Sequence, residues 1–307
     1  MKPAISESLP LLVLDDGRPG HVNQSLAFAR LTGREAVRCR VSFRHRAGKA
    51  LSYLCDRIGL AVSGLIRHDD VAGPFAAVVS AGSDTWYANR LLARRLGCRS
   101  VALMLPKGYR LDFDLIIAQQ HDHPPVAGNI LALPVNLNWS EPAGLVSPED
   151  DRPVVAVVVG GDSRHGKLDP DWLESQLKSV FNVCAGSRFW LTTSRRTGQN
   201  VEKMLRRFPF DYALYYSSDP RNPMGDFLQY ADRLFVTADS TSMISEAVCW
   251  GTAAVDILPV IRTLPTGKTG RMLSGLQKDG YVHLFDGAPG DARRKVDLKS
   301  LLAEVRL

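Results

Sequence analysis

The stretch Tyr230–Asp256, YADRLFVTADSTSMISEAVCWGTAAVD, leaves the chain few ways to fold. A short buried-strand pattern at Arg233–Thr237 runs into a polar turn of small residues, Ala238–Ser242. An apolar helical pattern follows, with Met243, Ile244, Ala247 and Val248 at i, i+1, i+4 and i+5. Gly251 stops that helix, and Ala253–Leu258 reads as the next strand. A strand, a crossover helix and a second strand are what parallel neighbours in a sheet require, so the stretch predicts a βαβ unit.

The chemistry of this unit lies in its turn. Ser240, Thr241 and Ser242 sit on the first turn of the predicted helix. Backbone N–H groups there lack intrahelical acceptors, and with hydroxyls beside them they form a site for an anion such as a phosphate. Glu246 falls one turn further in, on the side that reaches a ribose hydroxyl. The alternative is purely structural: Ser240 or Thr241 is an N-cap, and Glu246 an acid favoured by the helix dipole.

The same alternation runs through the whole chain. Leu9–Leu14 is a strand ending in Asp15-Asp16, and the turn Gly17–His21 leads into a helix at Val22–Leu31. His21 lies at the tip of that loop, as a general base or as a turn cap. Ala36–Phe43 and Phe75–Val79 read as strands, the latter followed by Ser80–Asp84 and a helix at Thr85–Leu96. Asp84 is either a partner of the helix N-terminus or a catalytic carboxylate. Further strands fall at Ser100–Leu105, Leu115–Ala118 and Ile130–Leu133. Between the second and third of these, His121-Asp122-His123 is a weak metal pattern, so no metal site is expected. Asn138–Pro153, rich in proline and carrying Glu149-Asp150-Asp151, reads as an interdomain linker.

The alternation then restarts. Val154–Val159 has the composition of a central parallel strand and ends in Gly160-Gly161-Asp162-Ser163. The glycines predict close approach of backbone to a ligand. Asp169–Val183 is helical, with Pro170 in its first turn. Arg188–Thr192 is a strand ending in Thr193-Ser194-Arg195-Arg196, two hydroxyls and two guanidiniums that fit a diphosphate clamp. The alternative for Arg195 and Arg196 is solvated surface charge. Gln199–Phe208 reads as a helix, Ala213–Tyr216 as a strand, and the loop Asn222-Pro223-Met224-Gly225 opens a helix at Asp226–Tyr230. After the organising stretch, Leu264–Gly270 reads as a basic loop bearing Lys268, and Val296–Val305 as a terminal amphipathic helix. The reading is therefore α/β: two Rossmann-like domains facing across a cleft, over residues 1–140 and 151–290, with a terminal helix in 291–307 that packs back on the first domain.

At 307 residues, with 45% hydrophobic and 23% charged residues, the chain is of ordinary globular composition for two domains. No apolar run is long enough to span a bilayer and Met1–Pro10 has no signal-peptide pattern, so a cytoplasmic location is expected. Five scattered cysteines without CxxC spacing suggest neither a zinc site nor a disulfide framework. The net charge of +6 is concentrated. Residues 30–67 hold nine basic residues against Glu35 and Asp56, next to the mostly apolar segment Ala50–Ile66. That combination fits either a protein resting on an anionic membrane surface or an ordinary buried helix with a charged approach. Aromatic interleaving there is thin (Phe43, Tyr53), so no nucleic acid is expected as partner.

Five motifs together resemble one family: DDGRPGHVNQS, the GGDS turn, TTSRRT, NPMGDFLQYAD and VTADSTSMISEA. They are the pattern of the family named after a plant mitochondrial fission factor, the elongated-mitochondria factor, and the resemblance covers roughly Leu11 to Asp256. That family is similar in arrangement to GT-B glycosyltransferases, which bind nucleotide-sugars. The resemblance implies that Ser240, Thr241 and Ser242 face the donor diphosphate, that Glu246 contacts the ribose, and that Arg195 neutralises the leaving group. It further implies that Gly161, Asp162 and Ser163 line the cleft. With Thr193, Ser194, Arg196, Asn222, Pro223 and Met224 they form the expected donor-binding set, and His21 and Asp84 are the candidates for the base. The implied activity is metal-independent, inverting transfer of a sugar from a nucleotide-sugar donor to a glycan or lipid-linked acceptor of the cell envelope. No cofactor is expected, and the location is cytoplasmic or at the inner face of the membrane. The plant name implies a different class, a non-catalytic adaptor.

Overall fold

The computed structural model describes residues 9–162, 167–260 and 267–307. The chain divides into two compact units, Met1–Trp139 with Leu298–Leu307, and Ser140–Asp297. Each is built on its own sheet, and each is α/β, as the alternation requires.

In the first unit the strands are β1 (Leu11–Asp15), β2 (Ala36–Phe43), β3 (Ile66–His68), β4 (Ala77–Ala81), β5 (Arg99–Leu103), β6 (Leu115–Gln119) and β7 (Ile130–Leu133), in the spatial order β3-β2-β1-β4-β5-β6-β7. All pairs are parallel except β2 with β3. Helices α1 (Pro19–Leu31), α2 (Gly48–Arg57) and α3 (Trp86–Leu96) belong here. β1 and β4 are buried along their whole length, which is why LLVLD and AVVSA read as apolar runs and not as alternating strands.

The second unit has β8 (Val154–Val159), β9 (Arg188–Thr193), β10 (Tyr212–Leu214), β11 (Arg233–Thr237), β12 (Ala254–Leu258) and β13 (His283–Leu284), in the order β10-β9-β8-β11-β12-β13. Every pair is parallel. Its helices are α4 (Pro170–Val183), α5 (Gln199–Leu205), α6 (Met224–Tyr230), α7 (Thr241–Cys249) and α8 (Gly267–Lys278); α9 (Leu298–Leu301) lies in the tail. With β8 as the first strand this is the doubly wound order 3-2-1-4-5-6, and its switch point lies between β8 and β11.

Four expectations need correction. The apolar segment Ala50–Ile66 is not one helix. α2 stops at Arg57 in a Schellman cap: Gly59 takes φ +74°, its N–H reaches the Asp56 carbonyl, and the Leu60 N–H reaches the Cys55 carbonyl. The chain then turns once at Ser63–Leu65 and adds the three-residue edge strand β3, too short to leave a pattern. The terminal helix shrinks to Leu298–Leu301. Only Leu298 and Leu302 are buried there as an i,i+4 pair, and so short an apolar stripe supports one turn and no more. Lys268 stands on α8, whose Met272, Leu273 and Leu276 are buried, and not on a loop; Leu264–Thr266 lie outside the described residues. Finally, the proline-rich stretch after Asn138 is pinned to the second unit. The buried Asp226 carboxylate accepts from the N–H groups of Ala143, Gly144 and Leu145 at 3.0, 2.8 and 3.1 Å. Gly225 is required beneath it, because a Cβ there would overlap the Glu141 carbonyl.

Candidate functional site

In an open parallel sheet, ligands bind beyond the carboxyl ends of the strands near the switch point. In the second unit those ends are stapled together. The Asp239 carboxylate, just after β11, accepts from Gly161 N–H at 2.8 Å and from the Thr237 hydroxyl at 2.7 Å. Thr237 in turn accepts from Gly160 N–H at 2.7 Å. Arg196 closes the staple, donating to the Asp162 carbonyl at 2.9 Å and to Asp239 at 3.1 Å. This corrects two expectations. Gly160 and Gly161 are glycines because a Cβ would overlap the Asp239 carboxylate and the Arg196 carbonyl, with no ligand involved. Arg196 is engaged by protein on every side of its guanidinium and has no share in a clamp, and Asp162 spends a side-chain oxygen on Leu168 N–H at 3.0 Å.

Beside this staple, beyond the ends of β8 and β9, opens a cavity of about 240 Å³. It brings together six of the predicted residues, Thr193, Ser194, Arg195, Asn222, Met224 and Glu246. Thr192, Tyr216, Pro220, Arg221 and Met243 join them, with Val158 at the strand end. Sequence reasoning missed these. Met243 carries the one signal that could have found it, since it shares the α7 face of Glu246 at i,i+3.

Glu246 is the distinctive group. It stands half-buried on α7, and among the described residues its carboxyl has no hydrogen-bond or ion-pair partner. Desolvation by the surrounding protein pushes it up to about 7. A carboxyl near its midpoint at neutral pH, bordering a cavity, can accept from or donate to vicinal hydroxyls. Arg195 is exposed at the same cavity and likewise has no partner among the described residues, so its fork of donors is available. The sequence could not divide the pair Arg195-Arg196; the staple does, binding one and leaving the other.

Other predicted residues serve the backbone. The Thr193 hydroxyl donates to Glu202 at 2.9 Å and accepts from Tyr216 N–H at 2.8 Å, so only the rest of Thr193 lines the cavity. Ser194 makes a tight turn with Thr197, whose hydroxyl accepts from Ser194 N–H at 2.9 Å. Ser240 is the N-cap of α7, accepting from Met243 N–H at 3.5 Å, and Thr241 and Ser242 open the helix outside the cavity lining. Pro223 precedes α6 at its N-cap. Ser163 lies outside the described residues.

In the first unit the two βα loops at the switch point, after β1 and after β4, meet at His21. Its Nδ1 lies 2.8 Å from Asp16 Oδ2, and its ring packs on Gly82, where φ is +87° and a Cβ would overlap the imidazole. Asp16 also accepts from Arg18 N–H at 3.1 Å, which fixes the carboxylate. The adjacent aspartates thus divide their work: Asp15 caps the turn at Gly17 and pairs with Arg38, while Asp16 orients His21. With Nδ1 held as donor, Nε2 is left to accept a proton. Asp84 is placed differently. Its two oxygens are taken by Arg18 at 2.9 Å and Lys49 at 2.8 Å, which leaves it a structural anion. A groove of about 970 Å³ begins at Asp15, Asp16 and Gly17 and runs along β2 and β3 past Arg40, Arg44, Arg67 and Arg95.

A family model described as Mitochondrial fission ELM1 matches residues 19–304. No curated protein matches the chain. Among solved structures, the chain is similar to the glycosyltransferase SnogD from Streptomyces nogalater at 14% identity and TM-score 0.49, over 96% of this chain and 93% of that one. The S. aureus MnaA–UDP structure matches at 8% identity and TM-score 0.47, covering 94% and 93%. MurG of Acinetobacter baumannii matches at 11% and 0.45, covering 90% and 85%.

Proposed function

The chain belongs to the mitochondrial fission ELM1 family, and we propose that this member is a glycosyltransferase whose second unit binds a nucleotide-sugar donor. One observation carries the reading: an unpartnered, desolvated carboxyl and an unpartnered guanidinium border a single cavity at the carboxyl ends of a doubly wound sheet. Glu246 holds the ribose hydroxyls. Arg195 neutralises the diphosphate as it leaves, which gives the reaction its electrophilic help without a metal ion. Tyr216, Met224 and Met243 supply apolar surface for the base.

The first unit supplies the base of the reaction. The acceptor hydroxyl attacks the anomeric carbon as the bond to the diphosphate breaks, its proton passes to His21 Nε2, and the nucleoside diphosphate departs. A single displacement of this kind inverts the anomeric centre. Asp16 stabilises the imidazolium that forms, as a carboxylate behind a catalytic histidine does. The arginine-lined groove beginning at Asp16 suits an anionic envelope glycan or a lipid-linked acceptor.

The test is a thermal-shift and calorimetric panel of UDP, GDP, ADP and CMP with their sugars, with and without chelator. A ligand bound only by the folded protein raises its stability by mass action. One nucleotide class should stabilise the wild type in both conditions, and Glu246→Ala or Arg195→Ala should remove the shift. No shift with any nucleotide at millimolar concentration overturns the reading and leaves the non-catalytic adaptor in its place.

A further inference from the structure

Helix α2 is built inside out. Its inward face is polar: Ser52 and Asp56 are buried, as is Gly48. Ser52 meets the Tyr109 hydroxyl at 2.7 Å. Asp56 is ion-paired with Arg90 and accepts from Arg110 N–H at 2.7 Å. The apolar residues point the other way. Leu51, Leu54 and Ile58 recur at i, i+3 and i+7 and so form one stripe, and Leu54 and Ile58 are 58% and 64% exposed. The chain continues exposed through Leu60, Ala61 and Val62. Of the ten large hydrophobic side chains exposed among the described residues, five lie between Leu51 and Val62, so they form a patch and not a scatter.

We propose that this face docks on an anionic phospholipid bilayer, with Leu51, Leu54, Ile58 and Leu60 entering the interfacial region. The charge around it selects that occupant. Between Arg44 and Arg67 the only acid is Asp56, which is buried and paired. Arg46, Arg57 and Arg67 are exposed and have no partner among the described residues. A neutral apolar partner would leave these cations unanswered, and a second copy would set like charges against each other. Apolar residues flanked by basic ones match an anionic lipid surface on both counts. Among the described residues no helix is long and apolar enough to cross a membrane, so the attachment is peripheral.

The docking helix is tied to the loop that carries His21. Lys49 of α2 bonds Asp84, Asp84 bonds Arg18, and Arg18 follows Asp16 and Gly17 on the β1–α1 turn. A protein seated through α2 therefore keeps that histidine near the lipid surface, where a lipid-linked acceptor would present its hydroxyl. This consequence rests on the transferase reading; the docking does not.

The experiment is flotation of the full chain with vesicles of phosphatidylcholine, with and without phosphatidylglycerol, at low and high salt. Wild type should float with the anionic vesicles, and salt should weaken it. Leu54→Glu with Ile58→Glu should lower vesicle affinity at least about 100-fold, since two aliphatic side chains lose their burial. Reversing Arg46, Arg57 and Arg67 to Glu should cost about 100-fold or more on anionic vesicles, at roughly fivefold per basic residue removed. Val126→Glu, at an equally open site, should change nothing. All these positions are exposed, so unchanged circular dichroism is expected and is checked. Glu246→Gln should float like wild type, which separates docking from donor binding. No flotation with anionic vesicles overturns the proposal. So does unchanged flotation of the Leu54/Ile58 variant, or a dimer held by this face that ignores vesicles.

Discussion

Replacing Glu246 by glutamine should make the protein more stable and less able to bind its ligand, and the size of the first effect follows from the site. Burial lifts the carboxyl from 4.5 to about 7. The folded state therefore holds a proton more tightly than the unfolded one. Wild-type stability is unpenalised below pH 4.5, falls as pH rises from 4.5 towards 7, and is flat above. At about 1.4 kcal/mol per pH unit, the full penalty above pH 7 is about 3 kcal/mol. Water in the adjoining cavity screens the charge, and roughly half of that is expected to survive. Glutamine is neutral throughout, so the gap between variant and wild type should be near zero at pH 4.5 and reach about 1.5 kcal/mol at pH 8. For a unit of this size that is roughly 3–6 °C in Tm. Urea titrations of both proteins from pH 5 to pH 8 read it directly. The ligand arm is calorimetry with nucleoside diphosphates: losing a charged acceptor to the ribose hydroxyls should weaken binding about 10- to 100-fold. A variant no more stable than wild type at pH 8 would refute the desolvated carboxyl. A variant that gains stability and binds nucleotide as before would refute its role at the ribose.

The two adjacent arginines should behave oppositely. Arg195→Ala should leave the melting temperature within a degree or so and weaken nucleoside diphosphates at least about tenfold, with nucleosides little affected. Arg196→Ala unstaples Asp239 and should destabilise the second unit by about 1–3 kcal/mol in urea, because a buried carboxylate loses its cation. Gly161→Ala should cost about 2 kcal/mol or more, since the clash is with the Arg196 backbone carbonyl, which cannot rotate away. In steady-state assays with the donor found above, His21→Asn should lower kcat about 100- to 10,000-fold with KM for the donor little changed, and Asp16→Asn should lower it by less.

Much of the fold was legible because parallel strands buried on both faces leave unbroken apolar runs, and VVAVVV, LLVLD and AVDIL are such runs. β3 and β13 were not, because three and two residues carry no period. The candidate site was legible in position and less so in detail. That Glu246 and Arg195 border one cavity follows from the strand–turn–helix rhythm, which brings strand ends and helix starts together. That Arg196, Gly160 and Gly161 belong to a staple depends on Asp239, some forty residues further on than Arg196, and no local pattern records it.

Helix α2 shows the limit most sharply. Its period is visible in the sequence: Leu51, Leu54 and Ile58 on one side, Ser52 and Asp56 on the other. A period gives two faces but not which of them meets the protein. The usual rule would turn the leucines inward. Here the decision belongs to Arg90, Arg110 and Tyr109, distant in sequence, which give Asp56 and Ser52 the partners that let them be buried. Removing that decision should reverse the outcome. Asp56→Ala strands the Arg90 guanidinium, itself buried and held below its usual range by that burial, and should cost about 3–5 kcal/mol in urea. If the outward leucines serve a bilayer, the same variant should lose protection of α2 amides in hydrogen exchange in solution and recover part of it on anionic vesicles. Equal exchange with and without vesicles would mean that α2 faces outward for some other reason.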